Sequence, residues 1–233
     1  MNKIGLIVLF ACASTCFAQT SSTPAPAGNP TTFPAKDASW TVNVTYKDAA
    51  SPSPSVPAPT DKRPKTINIT QKDGVRRTVV TRLTGQSFEQ WHYPDLQTTF
   101  TTDTPNGMAV YIRDSDLEAQ TAMATGFEPA FFSWIDPKNF TGVVKYEGRP
   151  AYHYKATVKL GEGRTIANGS GRVYSEATFE AWIDLETLRP VGLDDGVKLG
   201  VFQFGDPPTA PMTPPKAIAN AYLRQTTPLV TRP

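Results

Sequence analysis

His92 and His153 are the only imidazoles in this chain of 233 residues, so side-chain acid–base chemistry near neutral pH starts from these two positions. In the segment 151–160 the apolar residues Tyr152, Tyr154, Ala156, Val158 and Leu160 alternate with His153, Lys155 and Lys159. Alternation of period two places His153 on the lysine-bearing face, so it is expected to look at water as a surface histidine. His92 stands between Trp91 and Tyr93, and no nucleophile motif accompanies it. Asn168-Gly169-Ser170-Gly171 is not a nucleophile elbow, because its glycines adjoin the serine and do not stand two positions away. No catalytic residue is therefore assigned, and a hydrolase is the least favoured function class.

Metal chemistry is equally thin. Both cysteines, Cys12 and Cys16, lie in the first 18 residues, and the two histidines are far apart, which leaves only oxygen ligands. The acidic pairs Asp114-Ser115-Asp116 and Asp194-Asp195-Gly196 lack the continuing ligand spacing of a calcium loop. A helix start and a hairpin turn account for them, so no metal and no cofactor are expected. Asn43, Asn68, Asn139 and Asn168 each open an Asn-Xaa-Ser/Thr triplet; in a threonine-rich strand protein these arise by chance and are read as unmodified.

Aromatic residues carry the remaining signal. In 178–185 the expected core face is Phe179, Ala181, Ile183 and Leu185, with Trp182 opposite beside Glu180 and Asp184. In 197–204 both faces are apolar: Val197, Leu199 and Val201 on one, Phe202 and Phe204 on the other. Such a strand is expected to be covered on both sides. The segment 127–135 holds Phe127, Phe131, Phe132, Trp134 and Ile135, a composition suited to a lid or wall. Phe131, Phe132, Trp134, Phe202 and Phe204 are accordingly the expected lining of a site for a lipid or other apolar small molecule, acting by area burial. The alternative is a surface aromatic patch of Trp91, Tyr93 and Trp182 that binds glycan or protein. The plainest account is that these rings seal a second small core.

The elements that must position these residues are mostly strands. Trp40, Val42, Val44 and Tyr46 alternate with polar residues; Ile67 and Ile69 do the same, and Lys72-Asp73-Gly74 marks a hairpin into Val75–Leu83. Further strand patterns cover 88–93, 97–102, 108–113, 143–146, 151–160, 178–185 and 197–204. Glu147-Gly148-Arg149-Pro150 is expected to join two of them. Two short helices are expected, one from the capping box Ser115-Asp116-Leu117-Glu118 to Thr125, the other after Thr213-Pro214 with Ile218 and Tyr222 on one face. The fold class is mainly β (α+β): a curved antiparallel sheet or incomplete β-barrel with two short helices.

Lys3, the apolar run 4–10 and the small residues ending at Ala18 make 1–18 a signal peptide. An exported protein, periplasmic or extracellular, is expected. Leu9-Phe10-Ala11-Cys12 loosely follows a lipobox, which makes Cys12 the candidate lipid anchor of a lipoprotein form. Residues 19–37, rich in Ser, Thr, Pro and Ala, read as a flexible leader, 38–225 as a single β-rich domain, and 226–233 as a tail. A second Pro/Ser-rich stretch, 48–64, reads as a long loop between strands. The net charge of +2 is interspersed, which excludes the basic stripe that nucleic acid requires, and no apolar run has transmembrane length.

Gly148-Arg-Pro-Ala-Tyr-His-Tyr154, followed by a hairpin and Glu180-Ala-Trp-Ile-Asp-Leu-Glu-Thr-Leu-Arg-Pro190-Val191, resembles the second half of the LolA/LolB-like periplasmic lipoprotein carriers. The resemblance covers residues 140 to 205. It implies an incomplete antiparallel barrel with helices across its concave side and an interior able to hold acyl chains. That family usually begins with a helix, whereas here a strand at Trp40 comes first.

Overall fold

The computed structural model describes residues 24–47, 63–102, 110–113, 127, 129–165 and 172–227. The signal segment with Cys12, the helix expected at 115–125 and the Asn168 turn lie outside these residues. So do the acidic pair at 114–116, nearly all of the 48–64 loop and most of the 226–233 tail.

The chain is mainly β. Among the described residues eleven strands run as β1 (Ala38–Tyr46), β2 (Pro64–Lys72), β3 (Val75–Arg82), β4 (Ser87–Tyr93), β5 (Thr98–Thr102), β6 (Val110–Arg113), β7 (Phe140–Tyr146), β8 (Arg149–Thr165), β9 (Arg172–Asp184), β10 (Pro190–Asp194) and β11 (Lys198–Gly205). Among these residues one α-helix, α1 (Lys216–Thr226), follows, and two single turns of 3-10 helix, Pro129–Phe132 and Pro137–Asn139, precede β7.

All strands join one open sheet in the order β6-β5-β4-β3-β2-β1-β11-β10-β9-β8-β7. Two antiparallel meanders are thus joined where the first strand pairs with the last, Trp40 opposite Phe204 and Val42 opposite Phe202. The expected hairpins form at Asp73-Gly74 and Glu147-Gly148, where both central residues take positive φ (51° and 82°; 47° and 82°). That backbone matches the twist of the flanking strands, and glycine in the second position adopts it without a Cβ clash.

Strands β6 and β7 are the two outer edges, and the described residues between them cross part of one face of the sheet. The described part of that crossing, Phe127 and 129–139, buries Phe127, Phe132 and Ile135 against Trp40, Val42, Ile67, Val80, Tyr154, Phe179, Ile183 and Phe202. We call this the inner face and the crossing segment the strap. The apolar alternation of β1, β2, β9 and β11 supplies it. Helix α1 packs on the opposite, outer face, where fully buried Ile218 meets Trp91, Tyr93 and Phe100. The resemblance implied helices across one side of the sheet; the described helix lies on the outer face, and irregular chain lies on the inner one.

Candidate functional site

The inner face is built around Phe202. Its ring meets Phe132 edge-on at 5.8 Å and Phe127 at 6.0 Å, while Phe33 stands 6.4 Å away and reaches Phe132 at 5.4 Å. Phe204 stacks on Trp40 at 5.9 Å. Of the five residues expected to line an apolar site, Phe132 and Phe202 are buried, and Phe131, Trp134 and Phe204 are half-buried against the same cluster. The structure brings all five to one face. It also fills that face with Phe127, from the segment expected to form a lid or wall, and with Phe33, which the sequence reading did not include.

Phe33 was expected to sit in a flexible leader. It is instead docked, because the backbone around it has partners. Thr32 donates its N–H to the Leu188 carbonyl at 2.8 Å, and the Asn29 side-chain amide donates to the Phe132 carbonyl at 2.7 Å. The strap is held by few polar contacts of its own. The Asn139 side-chain amide donates to the Trp134 carbonyl at 2.7 Å, and the buried Trp134 Nε1 has no hydrogen-bond partner among the described residues.

The sheet has a notch beside this cluster. β1 pairs with β11 as far as Gly205, but β10 pairs with β11 only from Asp194–Leu199 to Gly192–Val201. β10 opens on a proline and carries a bulge between Pro190 and Gly192, so it supplies no ladder partner to the last residues of β11. A cavity of about 480 Å³ occupies the gap. Val191, Val201, Phe202 and Phe204 form its apolar wall; Arg149, Arg189, Glu147 and Asp184 stand around it. Arg189 lies over the Phe204 ring at 5.1 Å. Asp184 Oδ1 accepts from Thr187 N at 2.8 Å, Thr187 Oγ1 at 2.9 Å and Glu186 N at 3.1 Å. Burial opposes its charge, yet the Thr187 and Glu186 donors, with Arg149 nearby, hold the carboxyl below its ordinary range. Sequence reasoning missed the notch, since Arg149 reads as part of a hairpin turn and Arg189 carries no assigned role.

The alternative aromatic patch does not form. Trp91 and Tyr93 are buried beneath α1, with Tyr222 against Tyr93 at 4.5 Å, while Trp182 belongs to a different cluster. Their strand carries apolar residues on the outer face because α1 covers it there. A second cavity, about 530 Å³, lies beside that helix between Trp91, Met212 and Leu223. Trp182 stacks with Tyr146 at 4.5 Å and with His153 at 5.2 Å, each nearly parallel to it. Gly192 beneath them is required, since a Cβ there would come within 2.7 Å of the Tyr146 hydroxyl.

His153 is half-buried and not the water-facing side chain expected. Its Nε2 lies 3.0 Å from Glu180 Oε2 and its Nδ1 2.7 Å from Thr141 Oγ1, a row with the order of a nucleophile–base–carboxylate triad. Thr141 Oγ1, however, donates its single proton to the His153 carbonyl at 3.0 Å. The row ties β7, β8 and β9 together. The acidic pair at 194–195 is likewise structural. Gly196 N–H donates to Asp194 Oδ1 at 2.8 Å, and Asp195 Oδ1 accepts from Lys198 N at 2.8 Å. Among the described residues no group of three His, Cys, Asp or Glu side chains is placed to hold a metal, and no helix is long and apolar enough to cross a membrane.

No protein-family model matches the chain, and no curated protein gives a significant sequence match. Among solved structures it is similar to the lipoprotein LppX of Mycobacterium tuberculosis, at 9% identity and a TM-score of 0.38 over 76% of this chain and 88% of that one. It is also similar to LprF from Mycobacterium bovis, at 16% identity and a TM-score of 0.36 over 78% and 90% of the two chains. Likeness at this level specifies neither ligand nor activity.

Proposed function

We propose that this is an exported, non-enzymatic protein of the cell envelope that binds a lipid or other apolar molecule on the inner face of its sheet, between the sheet and the strap. One observation carries the reading. Phe202 and Phe204 belong to the aromatic core, and the same two residues wall a cavity of about 480 Å³ that opens where the sheet is notched. Ligand sites combine an apolar wall with a few polar groups at such volumes. The described part of the roof is suited to give way, being two single 3-10 turns that make no ladder hydrogen bonds to the described strands. Phe131, Phe132, Trp134, Phe202 and Phe204 line the site and act by removing apolar ligand surface from water.

Native mass spectrometry of the purified chain tests this. An acyl-bearing ligand should co-purify, and a hydrophobic dye should bind the folded protein and be displaced by that ligand. A ligand-free protein that binds no dye until it unfolds would refute the reading.

A further inference from the structure

Two guanidiniums and two carboxylates line the notch. Arg149, from the β7–β8 hairpin, and Arg189, from the turn before β10, both line the cavity. Among the described residues neither guanidinium makes a hydrogen bond or ion pair. Arg189 is steadied by the Phe204 ring, and its donors have no protein partner among the described residues. Glu147 and Asp184 also line the cavity, and the Asp184 charge is felt at Arg149, but neither carboxylate comes within ion-pair distance of a guanidinium. Asp184 is already engaged by three donors of its own turn, and Glu147 sits exposed on the hairpin. Two unpaired guanidinium forks thus flank an opening whose wall, Val201, Phe202 and Phe204, is apolar.

We propose that the notch is the head-group site of the inner face and takes a phosphate-bearing amphiphile, the phosphate at Arg149 and Arg189 and the chain against Phe204 and Phe202. This rests on the reading of that face as an apolar-ligand surface. A phosphate offers enough oxygens to receive both forks at once, which a neutral head group cannot. The notch is also the place where chain can pass between the outer side and the aromatic core without breaking a ladder hydrogen bond.

The test is binding of four probes sharing one dodecyl chain, each below its micelle concentration: dodecyl phosphate, dodecylphosphocholine, dodecyl maltoside and dodecyltrimethylammonium. The two phosphate-bearing probes should bind roughly tenfold tighter than the maltoside, a preference weakened by salt. The double variant Arg149→Gln/Arg189→Gln should lose the preference and keep the maltoside affinity. Arg149→Gln alone, on the exposed rim, should lose about half of it in logarithmic terms and guards against misfolding of the double variant. Inorganic phosphate at equal concentration should leave dodecyl phosphate bound. Equal binding of all four probes, a preference surviving in both variants, or displacement by inorganic phosphate would overturn the head-group site while leaving the apolar reading intact. Failure of every dodecyl probe to bind would overturn both.

Discussion

Gly200 on β11 lies directly beneath the ring of Phe127, and a methyl group at Gly200 would overlap three carbons of that ring. The first described residue of the strap therefore rests on bare backbone, with the Lys198 ammonium 5.1 Å above the same ring. A single absent side chain lets the strap lie close to the sheet.

Gly200→Ala should lift Phe127 without altering the sheet register. Overpacking of this kind costs about 1–3 kcal/mol. At roughly 2–4 °C per kcal/mol for a domain of this size, the melting temperature should fall measurably. Dye uptake by the folded variant should rise in parallel, measured by fluorescence at a temperature well below unfolding. Unchanged dye uptake would mean that Phe127 does not hold the strap.

Phe132 is 1% exposed and touches both Phe33 and Phe202. Phe132→Ala should destabilise by about 3–5 kcal/mol in chemical denaturation, through lost burial and the cavity left behind. An apolar ligand that fills the new space should recover part of that loss, read as a ligand-dependent shift of the denaturation midpoint.

On the outer face Ile218 anchors α1 over Trp91, and the Tyr222 hydroxyl donates to Asp95 Oδ2 at 2.8 Å. Ile218→Ala should cost about 2–5 kcal/mol and shift tryptophan emission to the red as water reaches Trp91. Tyr222→Phe removes a single exposed hydrogen bond and should change stability far less.

Two pH limbs follow from the described groups. The Lys155 hydrogen bond, opposed by burial and aided by His153, holds Glu180 below its ordinary 4.5. The folded state thus favours the ionised form. This stability is present above the ordinary value and is lost as pH falls through the depressed one, and Glu180→Gln should flatten that acid limb in thermal melts. Burial pushes Tyr93, Tyr146 and Tyr154 up to about 12 from 10.0. Their contribution is present below 10.0 and is lost as pH rises toward about 12, with the phenolate band at 295 nm lagging behind that of the unfolded chain.

Much of the fold is legible along the chain because a strand's facing is a local property. Alternation at Trp40, Val42 and Val44 and the turn residues Asp73-Gly74 and Glu147-Gly148 act through neighbouring dihedral angles, so the mainly β class, the hairpins and most strand positions follow from local order. The same local rule placed Trp182 away from the core, where the structure has it. It also assigned Phe202 and Phe204 to one face and Val197, Leu199 and Val201 to the other. The expectation that the second face is also covered fails at Val197, which is 59% exposed.

What covers each face is a long-range matter, and there tertiary structure decided. Whether Trp91 meets water depends on where α1 lands more than a hundred residues later in the chain. His153 gained its partners from Thr141 and Glu180 on the two neighbouring strands, which no alternation within β8 encodes. Phe33 looked free because its flanks are polar, yet its docking depends on carbonyls at Phe132 and Leu188. The notch has the same origin: its walls come from a strand that stops early and a hairpin that reaches over it. Local sequence determined which residues face together, through backbone period and turn chemistry. Only the order in which the strands assembled decided which faces are sealed and where one stays open.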